Sequence, residues 1–182
     1  MNAFEEIFET YKNEALRYSY LITNNKFMSE DIVQEAFIKC YKSIHSLKNT
    51  EQFKAWFFKI LTRTAWKYAD KEKNTVPVED IFETADDKSI NHSINTYVKS
   101  EEFNILREEI EKLELKQKTV IILYYFNELS IKEIAHIVGC FEGTVKSRLY
   151  MARKILKKKL CKNEKNSVHN IGGVEYESKK IF

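Results

Sequence analysis

The pattern of apolar and polar residues along this chain is helical almost throughout. From Phe4 to about Ile22, apolar side chains recur every three or four residues, the spacing of one face of an α-helix. Similar stripes return at 32–44, 53–68 and 131–156, and no persistent alternation predicts a strand. One proline and four glycines leave few points at which helices must stop. The sequence therefore predicts an all-α protein.

Capping residues predict where several of these helices begin and end. Ser29 precedes the second apolar stripe and Thr50 the third, and both residue types favour a helix N-terminus. Ser130 and Glu133 have the spacing of a capping box, in which the two side chains bond backbone N–H groups reciprocally. Gly139 predicts the end of that short helix, because glycine adopts the left-handed conformation at little cost.

A short helix, a tight turn and a second helix starting near Glu142 or Gly143 have the spacing of a helix-turn-helix. Residues 144–162 hold eight lysines and arginines and no acidic residue. Such a helix can bind phosphates and base edges in a major groove. A solvated basic helix end is the alternative, since cations suit the C-terminal dipole. That alternative leaves Lys146 and Arg148, near the helix start, unexplained, so DNA binding is favoured.

The third stripe contains more aromatic residues than one apolar face requires. Phe58 and Trp66 lie outside the stripe, among lysines and arginines. Aromatic side chains beside a basic groove suit the stacking of single-stranded bases. A helix packed on two sides would bury the same two residues without nucleic acid. Composition alone does not favour either interpretation over the other.

On the second helix, the stripe from Ile32 to Ile44 includes Tyr41 and predicts a buried face. Asp31 and Glu35 lie one turn apart on the other face, where like charges repel slightly. Taken alone, this pattern favours a solvated face over a docking surface.

The 182 residues carry a net charge of +3, which by itself predicts no partner. Residues 76–104, however, contain seven acids and two lysines and have no apolar periodicity, which predicts an acidic linker. We therefore predict two small helical domains, 1–72 and 105–162, joined by a linker at 73–104. A flexible tail is expected at 163–182.

Several classes of protein lack support in this sequence. Three cysteines, odd in number and far apart, suggest no disulfide framework. His136 and Cys140 are four residues apart, but no second pair accompanies them, so we expect no metal site and no cofactor. Asp31 and Glu35 are the nearest candidates for catalysis. They lie on an exposed helix face with nothing to raise a carboxylate's affinity for a proton, so no enzyme is predicted. Without an apolar leader or an 18-residue apolar run, we expect a cytoplasmic protein without membrane insertion.

Three segments together resemble the bacterial extracytoplasmic-function (ECF) sigma factors of RNA polymerase. They are DIVQEAFIKCYKSI (31–44), FKAWFFKILTRTAWKY (53–68) and LSIKEIAHIVGCFEGTVKSRLYMARKIL (129–156). The resemblance covers roughly residues 4–160 and implies an initiation factor with two domains. The first would bind the clamp helices of core RNA polymerase and open the minus-ten promoter element. The second would read the minus-thirty-five element, with the linker passing toward the polymerase active site.

The resemblance also implies site residues. The segment that meets the polymerase clamp contains Asp31, Gln34, Glu35 and Phe37. The minus-ten residues would be Lys48, Asn49, Lys54, Trp56, Lys59, Arg63 and Lys67. The minus-thirty-five residues would be Thr144, Lys146, Ser147, Arg148, Tyr150 and Arg153. Promoter DNA and core polymerase are the implied partners, and an anti-sigma factor clamped between the two domains is expected as well.

The chain departs from the family pattern at a few positions. Leu115-Lys116 stands where a proline is usual, and the turn Gly139-Cys140-Phe141-Glu142 is bulkier and more acidic than usual. These departures concern promoter preference. The competing hypothesis, a ligand-responsive helix-turn-helix regulator, requires a sensory domain in 1–104, which is short and rich in linker.

Overall fold

The computed structural model of the chain describes residues 3–74 and 101–168. Within these ranges the protein forms α-helices and two short 3₁₀ turns, and it has no strand. The all-α prediction is confirmed. The α-helices are α1 (Ala3–Thr23), α2 (Lys26–Ser43), α3 (Phe53–Asn74), α4 (Glu101–Glu111), α5 (Leu115–Tyr125), α6 (Ile131–Val138) and α7 (Glu142–Val168).

The start of α2 differs from the prediction. Asn25, not Ser29, is the N-cap, and its side chain accepts a hydrogen bond from the backbone N–H of Met28. Asn24 precedes it with a φ of 52°, a left-handed conformation that asparagine tolerates. Ser29 is buried inside the helix and donates its hydroxyl to the Asn25 carbonyl at 2.5 Å. The helix therefore starts one turn earlier than its serine suggests.

The start of α3 also differs. Thr50 does not cap the helix but begins a 3₁₀ turn, Thr50–Gln52, and Asn49 accepts a hydrogen bond from the Glu51 backbone N–H at 2.9 Å. The helix proper begins at Phe53.

The caps predicted around α6 are confirmed. The Ser130 side chain accepts from the backbone N–H of Glu133, whose carboxylate accepts from the Ser130 backbone N–H at 2.8 Å. Gly139 ends the helix at a φ of 71°, and its N–H bonds the carbonyl of Ala135. At this φ a side chain would be strained, so glycine sets the sharp turn into α7.

An aromatic cluster around Phe57 fills the core between α1, α2 and α3. The Phe57 ring lies 4.7 Å from Phe37 and stacks on Phe53 at 5.9 Å, and Phe58 meets Tyr18 edge-on at 5.5 Å. Tyr41, predicted for the buried stripe, is instead 62% exposed. Its ring packs edge-on against Phe4 at 5.1 Å, on the rim of the core.

We call residues 3–74 and 101–168 the two halves of the chain. Apolar residues of both halves belong to one continuous core. Helix α5, which is buried from Lys118 to Leu123, packs against α1 and α7, while α3 packs against α6. The predicted linker falls largely on 75–100, outside the described residues. Helix α7 continues to Val168, so the first residues of the predicted tail are helical. In the described part of the chain, every helix is too short or too polar to cross a membrane.

Candidate nucleic-acid interface

Helix α7 lies on the second half of the core with one face buried. Val145, Leu149, Ala152 and Leu156 are at most 6% exposed and pack the helix onto α5 and α6. This stripe fixes which residues of α7 point outward, because neighbouring residues on a helix are rotated by about 100°. The opposite face is open to solvent.

The outward face carries most of the side chains predicted to read DNA. Lys146, Ser147 and Tyr150 are exposed, the last by 64%. Thr144 and Arg148 are half-buried at its edge, and the Arg148 guanidinium donates to Cys140 Sγ at 3.7 Å. These five residues, Thr144, Lys146, Ser147, Arg148 and Tyr150, form what we call the DNA-reading row. In the turn before the row, Phe141 is 87% exposed.

Arg153 lies apart from the other predicted readers. Its Nε donates to the Tyr125 hydroxyl at 2.8 Å, and its guanidinium stands 5.4 Å from the rings of Tyr124 and Tyr125. The side chain is thereby held against α5, and it contributes to fixing α7 on the core.

The two extra aromatic residues of α3 are covered by protein on a second side of the helix. Phe58 is fully buried against Tyr18 of α1. Trp66 is half-buried, and its Nε1–H donates to Thr119 Oγ1 of α5 at 2.9 Å. Of the two interpretations that composition left equal, the helix packed on two sides is the one observed for these residues.

Three of the cations on α3 are engaged within the fold. Lys54 pairs with Glu14 of α1 at 2.9 Å, and Lys67 lies 3.4 Å from a carboxylate oxygen of Glu35 on α2. Lys59 Nζ lies 3.1 Å from Nε2 of His136 on α6. Burial, with a smaller contribution from the Arg63 charge, lowers the pKa of Lys59. Arg63 itself is exposed.

The remaining residues predicted for the minus-ten element lie at the start of α3. Lys48 and Asn49 are exposed in the loop, where the Asn49 side chain also stabilises the 3₁₀ turn. Trp56 is half-buried, with its ring 5.9 Å from that of Phe53. The loop and the first turns of α3 thus bring these three residues to one end of the helix.

On α2, the predicted polymerase-binding residues have different environments. Asp31 and Gln34 are exposed. Glu35 pairs with Lys39 at 2.7 Å and with Lys67, and the bond to Lys39 lowers its pKa from 4.5 to about 2. Phe37 is 4% exposed and lies in the aromatic cluster. The outward polar face of α2 therefore consists of Asp31 and Gln34, while Glu35 also holds α2 to α3 through Lys67.

Sequence reasoning missed a set of polar contacts that join the two halves. Glu14 of α1 accepts from Asn127 at 3.0 Å, Arg17 donates to the Phe126 carbonyl at 3.2 Å, and Lys118 donates to the Ile22 carbonyl at 3.3 Å. The partners are separated by 96 to 113 residues. Local periodicity contains no signal for contacts of this range.

Cys40 and Cys140 are free thiols. Cys40 is buried in the core, and burial raises its thiol pKa to about 11. Within the described residues no three His, Cys, Asp or Glu side chains are grouped so that they could hold a metal ion.

Family comparisons match both halves of the chain. Residues 7–75 match Sigma-70 region 2, and residues 103–156 match Sigma-70, region 4. The competing hypothesis required a sensory domain within residues 1–104. The match of residues 7–75 to Sigma-70 region 2 excludes it.

Among known proteins, the chain is similar to RNA polymerase sigma factor SigV of Bacillus subtilis, at 33% identity over 154 residues covering 85% of this chain and 89% of that protein. It is also similar to the ECF RNA polymerase sigma factor SigW of the same organism, at 31% identity, with 87% and 89% covered. Its fold resembles that of the sigma factor RpoE solved with the anti-sigma factor NepR from Bartonella quintana, with a TM-score of 0.69 and 21% identity over 88% of this chain and 98% of that one. The chain therefore belongs to the ECF family of bacterial RNA polymerase sigma factors, non-enzymatic initiation factors that bind core RNA polymerase and direct it to promoters.

Proposed function

We propose that the region 4 half reads the minus-thirty-five element through the DNA-reading row of α7. The observation that carries this proposal is an outward row of polar and cationic side chains on a helix whose other face is buried. In helix-turn-helix proteins the N-terminal residues of the second helix contact base edges. Lys146 and Arg148 lie in the first two turns, where they can reach guanine acceptors, and Ser147 can bond either a base or a phosphate.

Arg153 has a different role in this proposal. It lies two turns further along α7 and is bonded to Tyr125. We assign it to positioning the helix over the groove. Its replacement would then weaken promoter use without changing base preference.

The region 2 half would handle the non-template strand at the minus-ten element. We call Lys54, Trp56, Lys59, Arg63 and Lys67 the strand-handling face of α3, with Lys48 and Asn49 in the loop before it. Cations beside an aromatic platform suit the backbone and bases of a single strand. The proposal assigns one promoter element to each half, with residues 75–100 connecting them.

Helix α2 would dock on the clamp helices of core polymerase through Asp31 and Gln34. Both are exposed, and a partner surface rich in arginine would gain charge-assisted bonds from the carboxylate. Glu35 would support this face through its pairs with Lys39 and Lys67, and Phe37 would anchor the helix from the core side. We further propose that the protein acts in the cytoplasm and is restrained by an anti-sigma factor, as the RpoE relative is bound by NepR.

The docking assignment is tested by reversing one charge. Asp31→Lys should leave the circular dichroism melting curve nearly unchanged, because surface substitutions away from special features stay within about 0.5 kcal/mol. It should also reduce pull-down with core polymerase at least tenfold. Glu108→Lys, the same charge change on an exposed residue of α4, is the matched control and should bind core polymerase normally. Full binding of core polymerase by a folded Asp31→Lys variant would mean that this face is merely solvated and is not a docking surface.

A further inference from the structure

Phe141 stands directly before α7, where its backbone and its side chain have different surroundings. Its carbonyl accepts hydrogen bonds from the backbone N–H groups of Thr144 and Val145 at 2.9 and 3.1 Å, and these bonds start the helix. Its ring is 87% exposed, more than any other large apolar side chain in the described part of the chain. The backbone of Phe141 therefore belongs to the fold, while the ring contributes little to the core.

Phenylalanine is also a poor residue for this position. The residue before a helix is favoured to be serine, threonine, aspartate or asparagine, whose side chain accepts a hydrogen bond from a free N–H of the first turn. Helix α2 begins in this way at Asn25, and α6 at Ser130. A phenyl ring accepts no such bond, and an exposed ring gains little from burial. The fold alone would favour a polar residue at position 141, which indicates that the ring serves a contact outside the chain.

The ring lies beside the DNA-reading row. In helix-turn-helix proteins the N-terminal residues of the second helix contact base edges, and Phe141 directly precedes them. Arg148 of the row donates to Cys140 Sγ at 3.7 Å, so this reader lies against the turn that carries Phe141. Three residues, about 4.5 Å of helix rise, separate Phe141 from Thr144, which is little more than the 3.4 Å between successive base pairs. Phe141 is thus placed to contact a base pair next to those that the row reads.

The chemistry of the turn favours an apolar base edge as the partner of the ring. Phenylalanine has no donor for a phosphate oxygen, and the exposed carboxylate of Glu142 beside it repels phosphate. In the major groove the C5 methyl of thymine is the apolar group, and phenylalanine is among the side chains that contact it. A protein surface is the alternative partner. The exposed Lys146 and Lys154 of the same helix complement the charge of DNA, which favours the duplex.

We propose that Phe141 is a specificity-determining residue for the upstream promoter element, where its ring contacts the C5 methyl of a thymine beside the base pairs that the DNA-reading row reads. This proposal rests on the assignment of α7 to the minus-thirty-five element under the proposed function. It deepens that assignment, because the cations of the row select guanine whereas the ring selects thymine.

The test compares variants of the full chain bound to core polymerase. Phe141→Ser removes the ring and supplies a capping side chain, while Phe141→Leu keeps an apolar group at the same place. Phe27→Ser removes an exposed ring from α2 in the other half and is the matched control. The probe is a promoter duplex, taken from a site on genomic DNA where core polymerase with this chain starts transcription, in which the upstream element is randomised.

Among the sequences that are transcribed, wild type should prefer thymine at a position where Phe141→Ser shows no preference. Phe141→Leu and Phe27→Ser should keep the preference. Deoxyuridine in place of that thymine removes only the methyl group and leaves every hydrogen bond. It should weaken binding by wild type with core polymerase about fourfold, the value of one buried methyl-sized group, and binding by Phe141→Ser less than twofold. Phe141→Ser should also melt about 2–4 °C higher than wild type, because serine caps α7.

The inference would be overturned if Phe141→Ser kept the base preferences of wild type while Arg148→Ala changed them. Equal losses on deoxyuridine for wild type and Phe141→Ser would overturn it too, and would assign the methyl to another side chain, such as Met151, which is 44% exposed on α7. Weaker binding of Phe141→Ser to core polymerase itself would make the ring a protein contact, and a lower melting temperature would make it part of the fold.

Failure of the proposed function gives a different result. In that case Arg148→Ala and Phe141→Ser both leave the preference at every upstream position unchanged, so α7 does not read the element.

Discussion

Helices α3 and α7 are both rich in lysine and arginine but have opposite environments. Both combine an apolar stripe with many lysines and arginines, and both are assigned to promoter DNA. Helix α7 buries one stripe and presents most of its cations outward, among them Lys146, Lys154 and Lys157. Helix α3 is packed on two sides, and three of its cations contact Glu14, Glu35 and His136. Accessibility, not charge content, separates the two surfaces.

Because of this difference, the two surfaces that we assign to promoter DNA are not equally accessible in the structure. The α7 surface is exposed to solvent in the structure, although phosphate contacts alone would give only weak and salt-sensitive binding to duplex DNA. On the α3 surface, Lys54, Lys59 and Lys67 already contact other side chains of the protein. We therefore expect the isolated chain to bind duplex weakly and to open promoters only with core polymerase.

The largest effect should come from the second packed side of α3. Phe58→Ala removes a fully buried ring and should lower the free energy of unfolding by about 3–5 kcal/mol. For a chain of this size the melting temperature should fall by about 6–20 °C. Thermal melts followed by circular dichroism measure it.

Tyr150→Ala on the outward face of α7 is the comparison for that experiment. It should change stability by no more than about 0.5 kcal/mol and still weaken use of the upstream promoter element. Equal melting temperatures for Phe58→Ala and wild type would mean that α3 is packed on one side only.

The next effect concerns base reading along α7. Arg148→Ala and Lys146→Ala should each cost about 1–3 kcal/mol of discrimination at the upstream element, which is about 5–150-fold. Lys158→Ala, about three turns beyond Arg148 on the same helix, should lower affinity slightly and equally on all sequences, because a lysine there reaches only phosphate. Transcription from a set of promoters with single upstream substitutions measures the pattern. If all three variants lost the same modest amount of transcription on every promoter, the assignment of Lys146 and Arg148 to base reading would be wrong.

The smallest effect distinguishes the acidic residues of α2. Because the folded-state pKa of Glu35 is lowered from 4.5 to about 2, its stabilising contribution is complete above pH 4.5 and is lost as the pH falls toward 2. Glu35→Gln should therefore be less stable than wild type at pH 7, by about 0.2–1 kcal/mol for such an exposed pair, and equally stable near pH 2. Urea unfolding at several pH values follows the difference, with Glu108→Gln as the control. A constant gap at every pH would mean that the pair with Lys39 is not the cause.

Local chemistry made much of the fold predictable. The capping box of Ser130 and Glu133 and the left-handed Gly139 involve neighbouring residues, so the sequence predicts them directly. The prediction that Ser29 caps α2 was wrong because Asn25, also a good capping residue, lies one turn earlier. The apolar pattern also predicted that Tyr41 would be buried, which is wrong. Its position fits the stripe, but its ring lies on the rim of the core against Phe4 and stays exposed.

The candidate site was predictable where it depends on one helix and unpredictable where two distant helices meet. The outward placement of Lys146, Ser147 and Tyr150 follows from the buried stripe of α7. The engagement of Lys59 by His136, 77 residues away, follows only from the packing of the halves, as does the pairing of Lys67 with Glu35. Residue periodicity describes one element at a time and cannot indicate which element covers another.

The most direct test of the whole account is transcription by purified core polymerase, freed of other sigma factors, on genomic DNA of the source organism. With this chain added, RNA 5′ ends should gather at discrete sites preceded by two shared motifs with centres about 25 base pairs apart. With Arg148→Ala, the upstream motif should weaken while the downstream motif persists. Start sites as scattered with the chain as with core polymerase alone would contradict its role in promoter selection.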